Sequence, residues 1–158
     1  VCMEITAKRR CGAFKYSANY YEELHNVREI TLQNHVSLLK DMNDRKFVYD
    51  FFRVREAVVA HYRCVNNIIR KYNRLLDRAV IRTPRPSAHV ALAEATRLAI
   101  RGYWLSLRKL HGQILDVWGS SPYIIQIPDF DDSIELGSET AGQSFNWIRD
   151  FWGKILRF

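Results

Sequence analysis

Asp44–Ile81 reads DRKFVYDFFRVREAVVAHYRCVNNIIRKYNRLLDRAVI. Val48, Phe51, Val58, Tyr62, Val65, Ile69, Tyr72, Leu76 and Ala79 recur at three- and four-residue steps, and only Arg55 interrupts them. That spacing keeps them on one side of a helix. Phe47, Val54, Ile68, Leu75 and Val80 widen the stripe towards half the circumference, which suits a core-facing helix better than a narrow two-stranded zipper. No glycine or proline breaks the stretch, and Thr83-Pro84-Arg85-Pro86 ends it. The reading is one continuous helix capped by Asp44, about 57 Å long at ~1.5 Å per residue. Such a rod outruns a compact domain of this length, so other elements must cover its ends.

The opposite side of the stretch is basic. Between Arg45 and Arg85 stand eleven Lys/Arg against three acids, Asp50, Glu56 and Asp77. Arg63, Arg70, Lys71, Arg74 and Arg78 gather within about a third of a turn. They form the expected partner-binding face, for acidic protein, lipid headgroups or nucleic acid, set against an ordinary solvated helix face. Arginine outnumbers lysine seventeen to seven, and guanidinium forms planar, bidentate pairs with carboxylates and phosphates. That balance tilts the reading towards partners rather than bare solvent.

The other elements arrange themselves around this helix. Ser17–Met42 is expected to be a helix capped by Ser17, with Glu22 and Glu23 in favourable positions near its N-terminus. Tyr20, Leu24, Val27, Leu38 and Met42 make its apolar stripe, which leaks at Thr31 and Asn34. With Glu22, Glu23, Glu29 and Asp41 it is the acidic counterpart of the basic helix. Asp41–Asp44 leaves room only for a tight reversal, so the two helices form an antiparallel hairpin. Ser87 caps a third helix, Ala88–Trp118, with Leu92, Ala95, Ala99, Tyr103, Leu110, Ile114 and Val117 as its buried side. Its small residues, including Gly102 and Ser106, invite a close neighbour. Gly119 suits a left-handed C-cap.

Beyond the third helix the period changes. Tyr123, Ile124, Ile125 and Ile127 are β-prone and bracketed by Pro122 and Pro128, so an extended segment is expected. Asp129, Asp131, Asp132, Glu135 and Glu139 follow with no basic residue among them. A calcium loop is rejected, because Ile134 and Thr140 stand where such a loop needs glycine and glutamate. The acidic run reads as a linker able to fold against the chain's own basic helix. In residues 144–158, Phe145, Trp147, Ile148, Phe151, Trp152, Ile155, Leu156 and Phe158 share one half of a helical wheel. Asn146, Arg149, Asp150, Gly153, Lys154 and Arg157 take the other. This amphipathic pattern fits docking on the bundle, in a partner's groove or on a membrane surface.

The fold class is therefore all-α: an elongated hairpin or bundle of three long helices plus a short C-terminal helix. Residues 1–16 form a basic arm, 17–118 the bundle, 119–143 an extended acidic linker and 144–158 the amphipathic helix. No phosphate loop, nucleophile elbow or zinc motif occurs, and His25, His35, His61, His89 and His111 are scattered. Cys2, Cys11 and Cys64 lack metal spacing, and Cys64 reads as a core filler. No cofactor, metal site or catalytic activity is expected. At 158 residues, 47% hydrophobic and 13% aromatic, the chain has material for a core and for interfaces.

These features point to a non-catalytic accessory subunit of a larger multi-protein assembly. The Val1 start and the 144–158 pattern suggest an organellar setting, associated with the mitochondrial inner membrane, rather than a cytoplasmic or nuclear one. The competing readings are a basic nucleic-acid-binding bundle and a helical regulator whose groove accepts a partner helix.

Overall fold

The computed structural model describes residues 19–80 and 87–126. The basic arm, Ser17, the proline stop, the acidic run and the 144–158 pattern lie outside the described residues. Among the described residues all regular structure is helical. Helix α1 spans Tyr20–Met42, α2 spans Phe51–Val80 and α3 spans Ser87–Trp118. Short 3-10 turns occupy Phe47–Tyr49 and Pro122–Gln126.

The three helices run up, down and up. Lys71 late in α2 meets Glu23 early in α1, so these two are antiparallel, as expected. Tyr72 donates to the Ala93 carbonyl at 3.1 Å, while Trp118 Nε1 donates to the Val48 carbonyl at 2.7 Å, so α2 and α3 are antiparallel as well. Tyr20 and Tyr21 sit beside His89, and His35 beside Ser106, so α1 runs parallel to α3. Contact between α1 and α3 is the most extensive in the bundle.

The expectation of one helix from Asp44 is corrected. The reversal takes residues 43–50, and α2 starts at Phe51 with 30 residues, about 45 Å at ~1.5 Å each. Short polar side chains that compete for backbone N–H groups decide the break. Asp44 Oδ1 accepts from the Lys46 amide at 3.0 Å and so closes a turn instead of capping the long helix. Asp50 has extended backbone, φ −92° and ψ 94°, and its Oδ1 accepts from the Arg53 amide at 3.2 Å. Asp50 is therefore the true N-cap. Phe47, 1% exposed, anchors the reversal in the core.

The same competition moves the first cap. Asn19, not Ser17, caps α1, its side chain accepting from the Tyr21 amide at 3.0 Å. The leak at Thr31 and Asn34 is sealed internally. Both are buried, and each donates to the carbonyl four residues back, Val27 and Ile30, at 2.8 Å.

The core follows the α2 stripe closely: Phe51, Val54, Val58, Val65, Ile68, Ile69, Tyr72, Leu75 and Leu76 are all buried, with Cys64 among them. Helix α3 differs from expectation. Tyr103, Leu110 and Ile114 are buried, but Leu92, Ala95, Ala99 and Val117 are only half-buried. Ala93, Thr96, Ile100, Trp104 and Leu107 take the central places. Helix α3 packs on both neighbours at once, so its buried sector faces the groove between them rather than a single helix. Gly102 and Ser106 do receive a close neighbour: a Cβ on Gly102 would stand 3.4 Å from the His35 ring. Gly119 ends α3 without a left-handed φ; its amide donates to the Leu115 carbonyl at 2.8 Å, and a Cβ there would strike that same oxygen. The expected extended stretch at Tyr123 is instead a 3-10 turn, begun by Ser121, whose hydroxyl accepts from the Tyr123 amide at 3.2 Å. β-propensity loses here to a local cap and to burial of Ile124 against the core.

Candidate functional site

Helix α2 sorts its basic residues by direction. Phe52, Glu56, Arg63, Asn67, Arg70 and Arg74 fall within about a sixth of the circumference, and all six are exposed. The guanidinium groups of Arg63, Arg70 and Arg74 make no ion pair among the described residues. They are three charges pointing outwards along ~16 Å of one helix face, from residue 63 to residue 74.

Lys71 leaves the expected face. One residue past Arg70 is a rotation of about 100°, and that turns Lys71 inwards. It is 8% exposed, and its Nζ donates to Glu23 Oε1 at 3.3 Å; Glu23 is 1% exposed. This pair joins α1 to α2 inside the bundle and is structural. The side chain of Arg78 lies outside the described residues, as do the residues of 144–158.

Other basic residues are also tied down. Arg53 bonds Asp44 at 2.8 Å and Asp41 at 3.3 Å, and lies 5.0 Å over the Phe47 ring. The hydrogen bond from Arg53 holds the Asp44 carboxyl below its ordinary range, and the same contact raises Arg53. Arg97 pairs with Glu94 one turn earlier, and Arg28 lies 4.0 Å from Glu29. Lys40, Arg45 and Lys109 are likewise exposed without an ion pair among the described residues, so Arg63, Arg70 and Arg74 are set apart by their alignment on one face of α2.

Two further features stand out. At the α2 N-terminal end, Tyr49, Phe52 and Tyr123 are 67%, 77% and 53% exposed. Phe52 and Tyr123 flank Phe51, whose ring lies 5.8 Å from Phe52, 5.3 Å from Trp118 and 5.5 Å from Tyr123. Nearby, an open cavity of about 550 Å³ is lined by Asp44, Arg45, Tyr49 and Asp116 among others. Sequence reading missed these aromatics as surface groups, although Phe52 sits off the apolar stripe and in line with Arg63.

In the middle of the bundle, three helices share a polar cluster. His61 Nδ1 hydrogen-bonds the Tyr103 hydroxyl, and the His35 ring stacks on Tyr103 at 5.9 Å. His35 Nε2 lies 2.7 Å from Ser106 Oγ. Burial holds His35 below the ordinary imidazole value. The expectation of satisfied packing histidines fits His61, which is fully buried. Among the described residues, no group of three or more His, Cys, Asp or Glu converges as a metal site, and no helix is long and apolar enough to cross a membrane.

Comparison with protein-family models, with curated proteins and with solved structures found no match.

Proposed function

We propose that this chain is a non-catalytic helical subunit of a larger assembly, and that it grips an acidic protein surface with Arg63, Arg70 and Arg74. The observation that carries the reading is alignment: these three exposed guanidiniums lie on one face of α2 and make no ion pair among the described residues, whereas Lys71, Arg53, Arg97 and Arg28 each have a carboxylate within 4.0 Å. Arginine is suited to bidentate contact with carboxylates across an interface. Phe52 supplies an apolar anchor at the far end of the same face, and aromatic residues beside arginine are characteristic of interface centres. In this reading the apolar half of 144–158, from Phe145 and Trp147 to Ile155 and Phe158, provides a second contact, to a subunit or to lipid headgroups.

The test is recovery of the tagged full chain from its source in mild detergent, beside the triple variant R63E/R70E/R74E. The expected result is a defined set of co-purifying subunits, lost in the variant while its thermal melt is unchanged. Retention of the same subunits by the variant would remove the stripe from the interface. Recovery with nucleic acid instead, with affinity falling linearly in log salt, would replace the reading by the nucleic-acid one.

A further inference from the structure

We propose that a second copy of this chain docks along the outer face of α3, the two α3 helices lying antiparallel about a twofold axis that passes between Arg101 and Gly102. This contact goes beyond the arginine face of α2 and stands without it.

The outer face of α3 is a regular stripe. Ala91, Leu98, Leu105 and Gly112 recur at seven-residue steps, and an α-helix drifts only ~20° over each such step, so the four share one side. That side is turned away from α1 and α2. Ala91 and Gly112 are exposed, Leu98 is 54% exposed and Leu105 is half-buried. A Cβ on Gly112 would meet nothing within 4 Å. Glu94, Lys109 and Asp116 lie along the same stripe. Lys109 and Asp116 are exposed and make no ion pair among the described residues. Glu94 meets Arg97 within the chain but keeps 43% of its side chain exposed, so its carboxylate can accept a second cation.

Self-complementarity selects the occupant and its direction. Measured from an axis between Arg101 and Gly102, Leu98 and Leu105 lie about 5 Å to either side at ~1.5 Å per residue. Each leucine therefore meets the other leucine of the partner. Glu94 and Lys109 lie about 11 Å out, and Ala91 and Gly112 about 16 Å out. Within each of these two pairs the residues sit on opposite flanks of the stripe, about 60° apart around the helix at ~100° per residue. A twofold rotation exchanges both the ends and the flanks. It brings Glu94 onto the partner's Lys109, and Ala91 onto the partner's Gly112, where small residues let the backbones approach. Arg101 comes opposite the partner's Gly102, whose missing side chain leaves it room. Asp116 reaches the start of the partner's α3, which begins at Ser87, and the backbone N–H groups there attract a carboxylate.

Other arrangements fail on charge. Parallel pairing in register sets Glu94 on the partner's Glu94 and Lys109 on the partner's Lys109. An antiparallel axis through Leu105 sets Glu94 on the partner's Asp116 and Arg101 on the partner's Lys109. Like charges held together across an interface oppose association.

The experiment uses the full chain. Sedimentation equilibrium is expected to give twice the 18.6 kDa of one chain at about 100 µM. Leu98→Lys, at an exposed position, should weaken association at least about tenfold without moving the thermal melt. Disulfide formation reads the register. In a C2S/C11S background, with Cys64 buried, Leu98→Cys and Leu105→Cys are oxidised separately and as an equal mixture. Position 98 faces position 105 of the partner, whereas two copies of either position stand about 10 Å apart, beyond the ~7 Å that a disulfide tolerates. The mixture should therefore give at least about fivefold more covalent dimer than either variant alone. A chain that stays monomeric to about 200 µM overturns the proposal, as does a dimer that Leu98→Lys leaves intact. Cross-linking of Leu98→Cys alone to the same extent as the mixture overturns the antiparallel pairing.

Discussion

Arg70 and Lys71 are consecutive residues on α2, yet they meet opposite surroundings. Arg70 is exposed and makes no ion pair among the described residues, whereas Lys71 is buried against Glu23. The same division runs the length of the helix. One side holds Val65, Ile68 and Tyr72 with almost no exposure, and the other presents Phe52, Arg63 and Arg74. The comparison teaches that a run of basic residues is not yet a surface. A rotation of 100° decides whether a cation completes the bundle or remains available to something else. Substitutions on the two sides should therefore separate cleanly into those that unfold the chain and those that do not.

The largest effect belongs at the centre of the buried side. Val65 is fully buried, so Val65→Asp places a carboxylate where neither water nor a cation can reach it. The cost should be about 4 kcal/mol, read as a fall in the urea midpoint. A variant that unfolded at the same urea concentration as the original would mean that the stripe is not the core.

Next comes the ion pair. Lys71→Met removes the ammonium beside Glu23, which is 1% exposed, and should cost about 3 kcal/mol. Replacing both partners, K71M/E23L, should recover part of that loss, because the buried carboxylate is then removed along with its cation. Equal stabilities for the single and double variants would break this account. Smaller still is Tyr103→Phe, which takes the hydroxyl partner away from His61 at almost constant volume and should cost about 1–2 kcal/mol in the same assay.

A pH dependence follows from His35. Its folded-state pKa is depressed by burial, so the folded protein takes up that proton less readily than the unfolded chain. Stability from this group is full above the ordinary imidazole value near 6.5 and declines as the pH falls below it. The melting temperature should drop between pH 7 and pH 5, and His35→Gln should flatten that part of the profile. An unchanged slope in the variant would shift the cause to another group.

Much of this division was legible in sequence, and the failures are instructive. The α2 stripe was readable because hydrophobic burial imposes a helical period over many residues, so one misplaced residue scarcely alters it. Helix α3 was read less well. It packs on two helices, so small and polar residues such as Ala93 and Thr96 reach the centre, and a single-sided stripe is the wrong template. The start of α2 escaped because Asp44 and Asp50 both qualify as caps, and the choice between them turns on Phe47 reaching the core. Lys71 was grouped with its neighbours because sequence spacing gives the angle of a side chain but not the presence of Glu23 on another helix. Arg63, Arg70 and Arg74 are exposed, and that they make no ion pair among the described residues could be seen only in the bundle.

The smallest expected effect sharpens the comparison most. Arg70→Gln removes one charge from a side chain that touches no carboxylate in the bundle, so the stability change should stay within ~0.5 kcal/mol. The urea midpoint and its slope should both match those of the original chain. Set beside Lys71→Met, this gives two adjacent cations, two truncations and an expected difference of more than about 2 kcal/mol. If Arg70→Gln instead destabilised the isolated chain, and did so less at high salt, the guanidinium would already be engaged within the molecule. A neutral result with a lost partner would mean that the outward side of α2 is given over to binding and contributes nothing to holding the helices together.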